Sequence, residues 1–261
     1  MAQMISQGKP MPQHPSSMPF NSQQVQDFFK AHWTVRKYKE QAMPADHLET
    51  ILEAAQRAPT DATAQMYSFI RLTDFGLRKK IAGLSQNPHI VTASESFIIC
   101  GDVYRLESIL KSKGFEFGQF PHIAIHFAIG DAVLAGQNML IAAEMLGYRG
   151  CWIGGLISAP EEIAQLIELP IGVFPFAALT IGVPDEEPKS RPRLPRKMVI
   201  HENSYRIPEA QEVAEAVDHM GSITARGNWA QTLAGYFGKG GSMEAREIKM
   251  QNLLSKMIFK K

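Results

Sequence analysis

Cysteine is scarce in this chain: two in 261 residues. Cys100 and Cys151 form no CxxC and no metal-type spacing, so two buried free thiols are expected rather than a disulfide framework. An excess of one charge is also missing. Lys and Arg number 27 against 26 Asp and Glu, a net charge of +1, which gives no long-range field for nucleic acid or an anionic membrane. Residues 1–20 hold Pro, Gln, Ser and Met but no continuous apolar run. They do not read as a signal peptide, and a disordered tail on a cytoplasmic protein is expected. No internal repeat is visible. No Ser/His/Asp triad, Cys–His nucleophile or paired carboxylates can be argued from spacing. No catalytic side chain is therefore expected, and a chemical step would fall to a cofactor.

What is present is an ordinary globular composition, 45% hydrophobic and 20% charged, enough for one large domain or a domain with an appendage. The patterning predicts a short helix after Asn21 or Ser22, and a helix from Pro44 to about Arg57 that Pro59 stops. A strand is expected over Tyr67–Leu72, a helix from Thr73-Asp74 to about Leu84, a loop over 85–92 and a buried strand at 96–100. A charged helix follows over about 103–113. Residues 122–147 are the most apolar run, about 39 Å long as a helix. His122, His126, Asp131, Gln137, Asn138 and Glu144 are spread through it, so a core helix at a subunit interface is expected rather than a membrane span. His122 and His126 stand one turn apart, but no third ligand is evident and no metal is expected. A helix from Pro160 to near Leu169, a buried strand over 174–183, and helices over about 209–220 and 243–259 complete the pattern. Between the last two lies a segment with six glycines, expected as an excursion that wraps something.

Three separated segments carry donors suited to one phosphorylated, flat ligand. In His32-Trp33-Thr34-Val35-Arg36, read as extended chain, His32, Thr34 and Arg36 share one face and Trp33 and Val35 the other. The loop Thr60-Asp61-Ala62-Thr63-Ala64-Gln65 is small and polar, which leaves backbone N–H groups and hydroxyls for a ligand. Arg191 and Arg193, with Pro192 between them, point the same way in extended chain. Taken alone, the first segment also fits a basic surface strand, the second a plain turn and the third a solvated surface arm. Gly154 and Gly155 end a strand and let backbone approach a flat ligand closely; the pair is not GxGxxG, and a Rossmann site is not supported.

These residues carry a resemblance. The chain is similar to the FMN-dependent nitroreductase family, in its oxygen-insensitive NADPH nitroreductase and flavin reductase branch, over about residues 28–206 with a weaker tail. HWTVRKY resembles the branch's HxSxRxF/Y, APTDATAQ its APSSxNxQ, NPHI its QxHV/I and GCWIGGL its GxxIGG; IGVPDEEPKSRPRLP with VIHENSY resembles its LGxP…KPRLP…VHENSY. The resemblance implies an α+β fold, a mixed and mostly antiparallel sheet flanked by helices, in an intertwined homodimer with FMN in contact with both chains. It implies that His32, Thr34, Arg36 and Arg193 hold phosphate and ribityl oxygens, with Arg191 where the family has Lys. Thr60, Asp61 and Gln65 would lie along the ribityl chain and ring edge. Asn87, Ile153, Gly154 and Gly155 would lie beside the ring. Arg226, in TARGN, matches a position for the NADPH 2′-phosphate. Asp61, Thr63 and Met66 depart from the family's Ser, Asn and Pro. The expected organisation is a tail over 1–20, an FMN-binding core over 21–206 and a C-terminal excursion over 207–261 wrapping the partner. The expected activity is ping-pong reduction of nitroaromatics, quinones or free flavin by NADPH or NADH, with hydride transfer at the flavin and no protein nucleophile. An FMN carrier or redox sensor without turnover is the alternative, and a different flavin chemistry on the same fold a third.

Overall fold

The computed structural model describes residues 20–188, 191–221 and 228–258. Contacts divide the chain into one unit ending at His32 and a second from Trp33 onward. In the first, helix α1 (Ser22–Lys30) starts at a reciprocal cap: Asn21 Oδ1 accepts from Gln24 N and Gln24 Oε1 from Asn21 N, both at 2.9 Å. Its Phe28 and Phe29 rings meet edge-on, with centroids 5.2 Å apart.

The second unit is built around four strands, β1 (Tyr67–Arg71), β2 (Glu95–Asp102), β3 (Arg149–Ile153) and β4 (Val173–Gly182), in the order β1-β2-β4-β3. Every pairing among them is antiparallel. β2 is buried along its whole length, and its side chains alternate between two cores. Phe97 and Ile99, with Leu179 and Ile181 of β4, pack under α2 (Ala45–Gln56) and α6 (Pro121–Met145). Ile98, Cys100 and Ala178 face the other way, into a core shared with α3 (Phe75–Ser85) and α7 (Pro160–Leu166). The β2–β4 register shifts between Ile99 and Cys100, opposite Pro175, which has no N–H to give a ladder. Two short helices flank β2: α4 (His89–Thr92), inside the segment expected as loop, and α5 (Tyr104–Ser112).

α6 is long and apolar enough, by length and composition, to cross a membrane. Here Ala128, Ala132, Ala135, Met139 and Ala143 are fully buried in the cores, which small residues permit because they let the helix lie close to the sheet. Residues 33–39 form no ladder strand. Val35 N donates to Gly150 O at 3.1 Å and Lys39 N to Val183 O at 2.9 Å, and Tyr38 makes an isolated bridge with Pro184. The expected alternation holds at its centre all the same: Trp33 and Val35 are buried, Thr34 and Arg36 exposed. α7 stops at Leu166, three residues before the expected end. Beyond β4 come α8 (Ala210–Met220), α9 (Trp229–Phe237) and α10 (Ser242–Met257). The glycine-rich segment thus contains a helix. α10 docks on its own chain: Leu253 is buried in a core with Met66, Ala124 and Phe174, and Gly172 N donates to Met257 O at 2.7 Å.

Candidate functional site

β3 ends at Ile153 and turns into a single 3-10 segment, Gly154–Ser158. That turn floors a cavity of about 740 Å³, within the range of small-ligand pockets. Its walls include Arg36 from the extended segment, Asn87 from the α3–α4 turn, and Trp152 and Ile153 from β3. A Cβ built on Gly154 meets nothing within 4 Å, so the backbone there is bare toward open space. A Cβ on Gly155 would lie 2.3 Å from Asn87 Nδ2 and 2.7 Å from Ser85 O, so this glycine lets the turn pack against α3. Five of the expected site residues, Arg36, Asn87, Ile153, Gly154 and Gly155, therefore meet in one place.

Arg36 is anchored through its backbone. Glu186 Oε1 accepts from Arg36 N at 2.5 Å and from Lys37 N at 3.0 Å. The charges of Arg36, Glu186 and Arg191 all act on Cys151, which lines the same cavity, and burial pushes its thiol up from the ordinary range. Burial first, and the Arg36 charge second, push His89 down to about 4. His89 is 5% exposed, and among the described residues its Nε2 has no hydrogen-bond partner.

The remaining expected residues do not line this cavity, although the charge of Arg191 reaches it at Cys151. Asp61 and Gln65 line a second cavity of about 920 Å³ with apolar walls from Leu106, Ile109, Phe120 and Ile123; among the described residues none lines both cavities. Thr60 precedes the 3-10 turn Asp61–Thr63; Ala62 (φ 46°) and Thr63 (φ 55°) within it, and Gln65 (φ 51°) beyond it, are left-handed. Arg191 and Arg193 are exposed, and Arg193 Nη1 donates to Arg191 O at 3.1 Å. Thr34 is exposed; His32 closes the first unit, its N–H bonded to Phe29 O at 3.3 Å. Arg226 lies outside the described residues.

The nitroreductase family model matches residues 29–183, more than half of the chain. The chain belongs to the nitroreductase family. Among its relatives, the Cr(VI) reductase of Pseudomonas sp. (strain G-1) is 32% identical over 244 residues, covering 90% of this chain and 98% of the relative. The FMN reductase (NADPH) of Bacillus subtilis is 31% identical over 179 residues, 67% of this chain and 72% of that one. The structure of the NADPH:FMN oxidoreductase from Vibrio harveyi complexed with NAD+ superimposes with a TM-score of 0.80 at 25% identity, covering 91% of this chain and 99% of that chain.

On this nitroreductase scaffold the first cavity has a wall that motif reading does not find. α9 and α10 bring Tyr236, Met243 and Arg246 to it. A signal for α9 exists: Asn228 Oδ1 accepts from Ala230 N at 2.9 Å and Gln231 N at 3.4 Å, an N-cap readable in the sequence but hidden among glycines. Glu186, and Asp131, which accepts from Asp61 N and Met66 N, carry no motif signal.

Proposed function

We propose that this chain is an FMN-dependent oxidoreductase that uses NAD(P)H, with NADPH favoured, for two-electron reduction of nitroaromatics, quinones or free flavin. The observation that carries the reading is the cavity over Gly154. It joins a bare stretch of backbone, which accepts a flat ring, to the Arg36 guanidinium, which suits a phosphate or the anionic edge of a reduced ring. The residues fit the cofactor: a side chain at 154 would fill space that no protein atom occupies.

Bound FMN supplies the hydride acceptor and donor that no side chain here can replace. The chain's own part is binding, orientation and electrostatics. Arg36, with Arg191 and Arg193, supplies positive charge for the phosphate and for the reduced ring. Asn87 and the Ile153–Gly155 backbone fix the ring plane. Thr34, Thr60, Asp61 and Gln65 hold the ribityl chain. Arg226 is assigned to the donor's 2′-phosphate. A nicotinamide gives two electrons and one proton as hydride, the oxidised nicotinamide leaves, and the acceptor takes the electrons with a second proton from solvent.

The division of the expected contacts between two cavities supports a homodimer, in which one protomer's Arg36 side meets its partner's 61–66 loop. Exposed apolar groups support it too: Ile123, Val133 and Leu134 on α6, and Val199, Ile200 and Ile207 on the arm before α8. A core over 21–206 with a C-terminal excursion that reaches the partner, and a cytoplasmic location, belong to the same reading.

The test is direct. Purified protein should be yellow with one FMN per chain, and should consume NADPH with menadione or nitrofurazone. Flavin binding without turnover favours the carrier alternative; a colourless protein that cannot be reconstituted with FMN refutes both. Arg36→Ala should lose FMN on gel filtration while the fraction that keeps it retains its hydride-transfer rate.

A further inference from the structure

The loop between α2 and β1 is held in an expensive shape from two sides. On the inner side stands Asp131, in the middle of α6 and 2% exposed. Its Oδ1 accepts from Asp61 N and its Oδ2 from Met66 N, both at 2.9 Å. One carboxylate thus ties together the two ends of the loop. On the outer side, Arg105 Nη2 donates to Gln65 O at 3.0 Å and also to Tyr67 O. Arg105 is fixed in turn by Asp102, with a 3.3 Å ion pair and a 3.0 Å bond from Arg105 N to Asp102 Oδ1.

Between the two clamps, three of four residues from Ala62 to Gln65 sit in the left-handed region, and none is glycine. For Thr63, which is β-branched, that conformation is an outlier. A loop that merely connects a helix to a strand has glycine or asparagine available for such positions. Strained backbone of this kind persists where its surroundings over-determine it, and it gathers at ligand clamps. The choice of side chain at 131 agrees. A carboxylate accepts on both oxygens, whereas an amide would turn an NH2 toward one of the two backbone N–H groups.

We propose that Asp131 is a positioning residue that, with Arg105, holds the 61–66 loop in a left-handed conformation presenting Asp61 and Gln65 to the cofactor. The identity of that ligand rests on the reading of the preceding section; the clamp itself does not. Asp131 acts through the loop and touches no reacting atom.

The experiment uses the full chain with Asp131→Asn and Thr63→Gly, singly and together. Two quantities are read: the thermal midpoint of flavin-free protein, and FMN affinity from flavin fluorescence quenching well below that midpoint. Glycine at 63 relieves the left-handed demand, so Thr63→Gly should raise the midpoint by about 2–4 °C and weaken FMN by about tenfold. Asp131→Asn should weaken FMN by about tenfold or more and abolish the thermal gain from glycine, since a loop no longer held has no strain to relieve. An equal thermal gain in both backgrounds, with FMN affinity unchanged, reduces Asp131 to a core polar contact and overturns the proposal. Should Asp131→Asn fail to fold, Arg105→Gln opens the clamp from the exposed side and carries the same two expectations. Wild-type protein that binds no FMN removes the ligand clause along with the proposed function, and the thermal cycle alone then decides the clamp.

Discussion

Gly154 and Gly155 are neighbours, yet alanine should do opposite things at the two positions. Neither residue needs a positive φ, so the outcome turns on space alone. At 155 the new methyl would stand 2.3 Å from Asn87 Nδ2 and 2.7 Å from Ser85 O. The Asn87 amide cannot simply swing away, because it donates to that same Ser85 O at 2.5 Å. Overpacking of this kind costs about 1–3 kcal/mol, so Gly155→Ala should lower the thermal midpoint of flavin-free protein by roughly 3–10 °C. At 154 the methyl meets no protein atom within 4 Å. Replacing glycine by alanine at a compatible backbone position stabilises by about 0.4–1 kcal/mol through the unfolded chain, so Gly154→Ala should raise the midpoint by about 1–3 °C. The same methyl would occupy the space of a ring stacked against the turn. Lifting the ring off should cost at least about 2 kcal/mol of binding, roughly 30-fold in FMN affinity. The assay pairs differential scanning fluorimetry of flavin-free protein with an FMN titration. Gly154→Ala protein that binds FMN within about twofold of wild type would show that no flat ligand lies there.

Acid should weaken the fold through His89. Its folded value of about 4 lies below the ordinary 6.5, so the neutral form is the one the fold prefers. That contribution is full above pH 6.5 and drains away as pH falls from 6.5 to 4, by at most about 3 kcal/mol. Urea unfolding at pH 7.5 and 5 should show the loss in wild type and a smaller one in His89→Gln; equal losses would contradict the assignment. A third expectation concerns Gly136 on α6, where a Cβ would lie 2.5 Å from Trp152 Cη2 and 2.9 Å from Cζ2. Gly136→Ala should displace the indole, break its 3.1 Å bond from Nε1 to Gln137 Oε1, shift the tryptophan emission and lower stability by about 1–3 kcal/mol. An unchanged spectrum with an unchanged midpoint would refute the packing.

The elements of this fold that can be read from the chain are those whose partners are water and apolar neighbours. The alternation of Trp33 and Val35 against Thr34 and Arg36 reports which side is buried whether or not a ladder forms. The apolar run that became α6 needs only the hydrophobic effect to place it. What stays hidden is polar contact at long sequence distance. Asp131 reads as an interruption in an apolar helix, and in a sequence it argues only against a membrane. Its meaning depends on two backbone N–H groups 65 and 70 positions earlier, which every residue but proline carries and no residue type advertises. Glu186 is the same case: it reads as one acid in a charged, proline-rich arm, while its oxygen holds the amides of Arg36 and Lys37, about 150 positions away. Both carboxylates sit behind a segment whose residues do carry motif signals. A family motif records the side chains that face the ligand; the groups that hold those segments in shape bond to backbone and leave no such record. On this chain the acids that accept from two main-chain amides, Asp131 and Glu186, are therefore the candidates for further functional residues.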